Sequence, residues 1–136
     1  MQPQGGQSTP PRILVIDDEQ ALAKILAATF ADAGFDVVVA FDAVGGLARV
    51  REQTPSIILV DLAMPGMDGY GFIDGCRALP TCRDTPIILA TATGDLANVR
   101  RRVEDKGVVL ISKPFDLETL IASVVDLARF RRPDTR

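Results

Sequence analysis

Five side chains capable of chemistry stand at or just beyond the ends of apolar segments in this 136-residue sequence. They are Asp17 and Asp18 after residues 13–16, Asp61 after residues 57–60, Thr91 after residues 87–90 and Lys113 after residues 108–111. Two like charges about 4 Å apart repel by roughly 4 kcal/mol at an effective dielectric constant near 20. If the three carboxylates converge, a hard divalent cation is needed to offset this repulsion, and Mg²⁺ suits carboxylate ligands completed by water.

The apolar segments that carry these residues are predicted to be strands, and a fifth segment spans residues 37–40. Their continuous rather than alternating hydrophobicity is typical of strands covered on both faces, as in a parallel sheet. Stretches with helical spacing separate them, which predicts five helices. Candidate N-caps of the last four helices are Asp42, Asp68, Asp95 and Asp116. The fourth helix, near residues 96–106, has few apolar anchors and is expected to be the least firmly packed.

This alternation predicts an α/β fold of the flavodoxin-like (βα)5 type, a doubly wound five-stranded parallel sheet with strand order 2-1-3-4-5. Ligands in such sheets bind beyond the carboxyl ends of the strands, where the winding direction reverses. The five side chains should therefore converge there. Asp61, at the end of the central strand, is the candidate nucleophile for a phosphoryl group, and Asp17 and Asp18 are candidate metal ligands. Thr91 and Lys113 are placed to contact the phosphoryl oxygens.

The composition narrows the possible functions. One domain is expected at this length, and a net charge of −3 gives no basic field for nucleic acid. No apolar run is long enough to cross a bilayer, so a cytoplasmic protein without membrane contact is expected. The absence of histidine excludes a Ser-His triad and a histidine metal site. We expect a flexible tail at residues 1–11, one domain at residues 12–130 and a C-terminal tail at residues 131–136.

Several residues also have purely structural interpretations. Asp18 alone is suited to cap the first helix. Cys76 and Cys82 are expected to be free, semi-buried thiols. The basic runs at residues 100–102 and 129–132 are expected to be solvated charges rather than a docking patch. It is the joint occurrence of acidic, hydroxyl and amine groups at adjacent strand ends that favours a functional site.

Four motifs resemble the receiver domain of bacterial two-component response regulators. They are VIDDE at residues 15–19, LVDLAMPGMDG at residues 59–69, PIILATA at residues 86–92 and KPF at residues 113–115. The resemblance covers about residues 12 to 130. It implies that Asp61 accepts a phosphoryl group from a phosphohistidine on a sensor histidine kinase or a histidine phosphotransfer protein.

The same resemblance implies the remaining roles at the site. Asp18, Asp61 and the backbone carbonyl of Ala63 would bind Mg²⁺, with Asp17 acting mainly through water. Thr91 and Lys113 would contact the phosphoryl group, and the Lys113-Pro114 peptide bond would be cis. Leu110 occupies a position that is often aromatic in receivers, so we expect the signal in a shift of the fourth helix or its flanking loops.

Three functions follow as hypotheses. The first is a single-domain phosphorylation switch or relay intermediate that acts on a downstream protein and catalyses only its own phosphorylation and slow dephosphorylation. Two further questions stay open for this hypothesis: dimerisation through the fourth and fifth helices, and an origin as the receiver segment of a longer protein. The second is a Mg²⁺-dependent phosphohydrolase with an aspartyl-phosphate intermediate, which Ala63 disfavours because an acidic proton donor is missing there. Flavin binding in the same fold is the third, and the acidic strand ends disfavour it. A degenerate receiver that only binds a partner is a further alternative to the switch.

Overall fold

A computed structural model describes residues 9–130 of the chain, with the side chains of residues 129 and 130 excepted. The predicted tail at residues 131–136 lies outside the described residues, as do the first eight residues of the predicted tail at 1–11. In the described part of the chain, none of the helices is long and apolar enough to cross a membrane.

The sheet has five parallel strands in the order β2-β1-β3-β4-β5, which confirms the predicted fold class. The strands are β1 (Arg12–Ile16), β2 (Asp36–Ala40), β3 (Ile57–Asp61), β4 (Ile87–Thr91) and β5 (Val108–Ser112). Every residue of β3 and β4 is buried, as expected for central strands with continuous hydrophobic sequences. Asp61 pairs in register with Ala90, so the ends of β3 and β4 lie side by side.

Among the described residues, four α-helices connect successive strands and a fifth follows β5, and together they cover both faces of the sheet. They are α1 (Gln20–Asp32), α2 (Ala43–Glu52), α3 (Gly69–Ala78), α4 (Leu96–Arg102) and α5 (Leu117–Phe130). Buried side chains of α1 and α5 pack on one face, and those of α2, α3 and α4 pack on the other. Winding on both faces is what brings the carboxyl ends of β1 and β3 to the point where the chain direction reverses.

The four predicted N-caps are confirmed, because each aspartate accepts a hydrogen bond from a backbone N–H three residues later. Asp18, by contrast, does not cap α1. Glu19 is the residue at that N-cap position, and it makes no side-chain capping bond. The carboxylate of Asp18 therefore does not serve as a helix cap, which was its alternative structural interpretation.

Helix α4 ends earlier than the predicted span of residues 96–106. Val99 and Val103 are buried as anticipated, but the helix stops at Arg102. Asp105 and Gly107 have φ values of 66° and 68°, so the backbone turns out of the helical conformation before β5 begins. With seven residues, α4 is the shortest of the described α-helices.

The expectation of free, semi-buried thiols is wrong. Cys76 and Cys82 are both fully buried and are joined by a disulfide bond. A short 3-10 helix, Pro80–Cys82, returns the chain against α3 and brings the two Cα atoms to 5.4 Å, within the range that a disulfide spans.

Candidate functional site

The side chains of Asp17, Asp61 and Lys113 meet at the carboxyl edge of the sheet. Lys113 Nζ lies 3.0 Å from Asp17 Oδ2 and 3.1 Å from Asp61 Oδ1. Asp17 and Asp61 are 4% and 8% exposed. Buried carboxylates require charged or hydrogen-bonding partners, and the ammonium group supplies one to both.

Asp18 completes an acidic cluster with Asp17 and Asp61. One carboxylate oxygen from each residue lies within 4.8 Å of the others, and Asp18 is the exposed member. Three carboxylates and one ammonium leave two negative charges in this cluster. An all-oxygen donor set with an open, exposed side fits Mg²⁺, which retains several waters and accepts further oxygen ligands.

The electrostatics of the cluster act most strongly on Asp61. Burial raises the pKa of Asp61, and the charges of Asp17 and Asp18 raise it further, while the hydrogen bond from Lys113 opposes them. For Lys113, burial favours the neutral amine, but hydrogen bonds to Asp17 and Asp61 outweigh burial and raise its pKa. Lys113 is therefore a cation at neutral pH, and burial together with the neighbouring carboxylates disfavours the ionised form of Asp61.

A backbone hydrogen bond holds the carboxylate of Asp17, and close packing by α3 holds the main chain at Asp61. Asp17 Oδ1 accepts a hydrogen bond of 2.9 Å from the N–H of Glu19. Gly69, at the start of α3, packs so closely that a β-carbon there would lie 2.8 Å from the carbonyl oxygen of Asp61 and 2.9 Å from Leu62 Cα. Only glycine fits without displacing the backbone beside Asp61. This role of Gly69 was not predicted, although a glycine directly after the N-cap Asp68 was its visible signal in the sequence.

Thr91 ends β4 next to Asp61 and is 2% exposed. Its Oγ1 accepts a hydrogen bond of 3.1 Å from the N–H of Thr93. Lys113 directly follows the neighbouring strand β5, and its N–H donates to the carbonyl oxygen of Thr91 at 2.8 Å. The contact of Thr93 was not predicted, although a threonine two residues after Thr91 and an aspartate two residues after that have the spacing of successive side-chain turns.

The remaining predicted features of the site can also be located. Ala63 lies in the exposed loop two residues beyond Asp61. The Lys113-Pro114 peptide bond is cis, as the resemblance implied. Leu110 is half-buried on β5 and packs against the core on the side of α2, α3 and α4.

Comparisons with known proteins agree on one family. The family model of the response regulator receiver domain matches residues 13–125. The DNA-binding response regulator MtrA of Mycolicibacterium paratuberculosis is 41% identical over 123 residues, which are 90% of this chain and 52% of the relative. Response regulator PleD of Caulobacter vibrioides is 35% identical over 88% of this chain and 26% of its own length. This chain thus spans about half the length of MtrA and about a quarter of the length of PleD.

Solved structures give the same fold. Chemotaxis protein CheY4 of Vibrio cholerae superposes with a TM-score of 0.82 at 26% identity, covering 88% of this chain and 99% of the other. The receiver domain of Francisella response regulator 1452 superposes with a TM-score of 0.81 at 28% identity, covering 90% of this chain and 99% of the other.

Proposed function

The chain belongs to the response regulator receiver domain family, and from that premise we propose that Asp61 is the acceptor of a phosphoryl group in a phosphorylation switch. The observation that carries the proposal is the shared ammonium of Lys113, which contacts both Asp61 and Asp17 within 3.1 Å. A cation beside the acceptor oxygen neutralises charge on an incoming phosphoryl group while leaving the carboxylate ionised.

The donor is proposed to be a phosphohistidine on a sensor histidine kinase or a histidine phosphotransfer protein. A carboxylate oxygen of Asp61 attacks phosphorus, an O–P bond forms and the P–N bond breaks. The electron pair of the broken bond returns to the imidazole ring of the donor. These 136 residues contain no histidine, so the phosphohistidine lies outside them.

Asp17, Asp18, Asp61 and the backbone carbonyl of Ala63 are proposed to hold Mg²⁺. When bound, Mg²⁺ neutralises negative charge on the carboxylates and on the phosphoryl oxygens. Asp17 keeps Lys113 oriented, because its second oxygen is fixed by the N–H of Glu19. Lys113 and the hydroxyl of Thr91 then contact the remaining phosphoryl oxygens.

Loss of the phosphoryl group resets the switch. Water attacks phosphorus, the bond from phosphorus to the Asp61 oxygen breaks, and the carboxylate and inorganic phosphate are released. The residue two positions beyond Asp61 is Ala63 rather than a second carboxylate that could donate a proton. We therefore expect slow hydrolysis of this one bond rather than turnover of many phosphate esters.

The proposed output is a contact with a downstream protein. MtrA, a relative named as DNA-binding, is about twice the length of this chain. For this chain, the absence of direct nucleic acid binding stays a prediction that rests on its net charge of −3. Dimerisation through α4 and α5 and a cytoplasmic location likewise stay predictions.

Incubation with Mg²⁺ and acetyl phosphate, followed by intact mass measurement, tests the proposal. We expect one base-labile phosphoryl adduct on the wild type and none on Asp61→Asn. Asp74→Asn is the matched control, since Asp74 is an exposed carboxylate on α3 that pairs with Lys106. Rapid turnover of phosphate esters would favour the hydrolase. A wild type that takes up no phosphoryl group would point to a receiver that only binds its partner.

A further inference from the structure

The disulfide bond between Cys76 and Cys82 ties the carboxyl end of α3 to the 3-10 helix that follows it. Both cysteines are 0% exposed. Cys76 shares the buried face of α3 with Phe72 and Ile73, which pack in the core. Of residues 80–84, by contrast, only Cys82 is buried. The α3 side of the bond is therefore anchored in the core, whereas the other side lies on a short surface segment.

Arg77, the neighbour of Cys76 in α3, links this surface segment to the turn before β5. Its Nη1 donates to the carbonyl oxygen of Cys82 at 2.7 Å. Its Nε donates to the carbonyl oxygen of Lys106 at 2.8 Å, and its Nη2 donates to that of Gly107 at 3.2 Å. Because the donors of a guanidinium form a rigid planar fork, one side chain fixes two separate surface segments relative to each other. We call Cys76, Cys82 and Arg77 the α3 latch.

Breaking the disulfide must displace one side of it. Two sulfur atoms that are not bonded cannot approach as closely as those of a disulfide, and a close-packed interior has little free volume to absorb the difference. Since Cys76 is fixed by the core, the 3-10 helix is the side that moves. Its displacement carries the carbonyl oxygen of Cys82 away from Arg77 Nη1. The planar guanidinium then reorients as a unit, which changes its bonds to Lys106 and Gly107.

The chemistry that breaks the bond is thiol–disulfide exchange with a dithiol. Local opening of the 3-10 helix exposes Cys82 Sγ, and one thiolate of the dithiol attacks it, so that a mixed disulfide forms and Cys76 leaves as a thiolate. The second thiolate of the dithiol then attacks its own partner sulfur, closes the disulfide of the reductant and releases the thiolate of Cys82. Two electrons pass to the cysteines, and the two protons of the dithiol end on Cys76 and Cys82.

We propose that the α3 latch is a redox-sensitive device, which a dithiol opens and a disulfide oxidant closes, and which when open loosens the turn at Lys106 and Gly107. Disulfides in reducing compartments are mostly transient, catalytic or redox-sensing, which agrees with the cytoplasmic location proposed above. The latch holds the start of β5, and Lys113 directly follows the end of that strand. The device does not require a phosphoryl group on Asp61, so it goes beyond the function proposed above.

NMR of the full chain, combined with alkylation and intact mass measurement, tests the latch without denaturant. A hydrogen bond to a carbonyl polarises the N–H of the same peptide group, so the amides of Arg83, Gly107 and Val108 report the carbonyls of Cys82, Lys106 and Gly107. In the wild type, dithiothreitol should make both cysteines open to alkylation and should shift all three amide signals. Oxidised glutathione should reverse the shifts.

Two controls accompany the wild type. The amide of Lys113 donates to the carbonyl oxygen of Thr91 at the far end of β5, and its signal should not shift. The double variant Cys76→Ala, Cys82→Ala has no bond to reduce, so dithiothreitol should shift none of its signals.

Arg77→Met separates the coupling from the bond. It keeps the disulfide and removes the guanidinium, so dithiothreitol should still shift the amide of Arg83 but no longer those of Gly107 and Val108. Lys106→Met is the matched control, since it removes a side-chain ion pair on the same turn and leaves the carbonyl that Arg77 contacts. Its amides should respond to dithiothreitol as in the wild type.

The latch is overturned if alkylation of the wild type requires denaturing urea, because the bond would then be a permanent link that only global unfolding exposes. It is equally overturned if both cysteines are alkylated while Gly107 and Val108 keep their signals, a result that does not need Arg77→Met to fold. Equal shifts in Arg77→Met and the wild type would remove Arg77 from the coupling. None of these measurements involves a phosphoryl donor, so the function proposed for Asp61 stands or falls separately.

Discussion

Lys113 forms an ion pair with Asp17, which lies 96 positions earlier in the sequence, with 3.0 Å between Nζ and Oδ2. The pair links the end of β5 to the end of β1 across the carboxyl edge of the sheet. Because the same ammonium also contacts Asp61, it separates two buried carboxylates that would otherwise repel each other.

Replacing Lys113 with methionine should destabilise the protein in the absence of divalent metal. Asp17 and Asp61 would remain buried without their cation, so the free energy of unfolding should fall by roughly 1–3 kcal/mol. Urea unfolding in EDTA measures the change. Lys106→Met is the matched control, since it removes a more exposed pair with Asp74, and it should cost at most about 1 kcal/mol. Equal losses in the two variants would contradict the role given to Lys113.

Magnesium should stabilise the wild type more than the Asp18→Asn variant. A ligand that binds only the folded state at a hundred times its Kd adds about 2.7 kcal/mol to the free energy of unfolding. Asp18→Asn removes one negative oxygen donor, weakens binding and lowers this increment at the same Mg²⁺ concentration. Asp36→Asn, at the opposite end of the sheet, should show the wild-type increment. Urea unfolding across a Mg²⁺ titration distinguishes these outcomes, and an unchanged increment in Asp18→Asn would remove Asp18 from the site.

Asp61 and Asp116 should make contributions of opposite sign to the change in the free energy of unfolding with pH. Burial and neighbouring carboxylates raise the pKa of Asp61 above 3.8, so the folded state binds its proton more tightly than the unfolded state. Ionised Asp61 then opposes folding as the pH rises above 3.8. In EDTA, Asp61→Asn should be more stable than the wild type at pH 7, with the difference vanishing in acid.

Asp116 is the internal control for this titration. Hydrogen bonds from the hydroxyl and then the backbone N–H of Thr119 lower the pKa of Asp116 below 3.8. Its contribution to stability is present above that value and is lost as the pH falls through the lowered pKa. Asp116→Asn should therefore be less stable than the wild type at neutral pH, and the two should converge in acid. Unfolding curves at several pH values measure both effects, and a variant that moves in the direction opposite to its prediction would contradict the assignment for that residue.

The sequence predicted the strands and the site cluster because both depend on simple rules. Continuous apolar segments identified β3 and β4, and right-handed crossovers then fixed the strand order that brings Asp17 and Asp61 together. The caps followed from aspartates placed just before helical spacing. Each of these signals is local in the sequence, and the sheet topology brings the distant residues that carry them into contact.

Features that depend on turn geometry were not predicted. The disulfide requires the 3-10 helix to carry Cys82 back onto α3, and composition does not reveal that return. The early end of α4 depends on positive φ values at Asp105 and Gly107, which compete with the helical spacing of Val99 and Val103. The contact between Thr93 and Thr91 likewise arises from the backbone path after β4.

Reduction of the disulfide should lower stability without preventing folding. The bond joins two residues six positions apart and therefore restricts the unfolded chain. A loop this short should add roughly 2 kcal/mol to the free energy of unfolding. Urea unfolding with and without dithiothreitol measures the effect. The double variant Cys76→Ala, Cys82→Ala should be insensitive to dithiothreitol. A wild type equally insensitive would show that the bond adds nothing to stability.

The central claim is that three carboxylates gathered at the ends of β1 and β3 hold Mg²⁺ so that Asp61 can carry a phosphoryl group. It is tested most directly by treating the protein with acetyl phosphate, reducing any acyl phosphate with borohydride, and locating the resulting homoserine by tandem mass spectrometry. We predict homoserine at position 61 when Mg²⁺ is present and none when EDTA replaces it. Homoserine at another position, or at position 61 to the same extent in EDTA, would contradict the account.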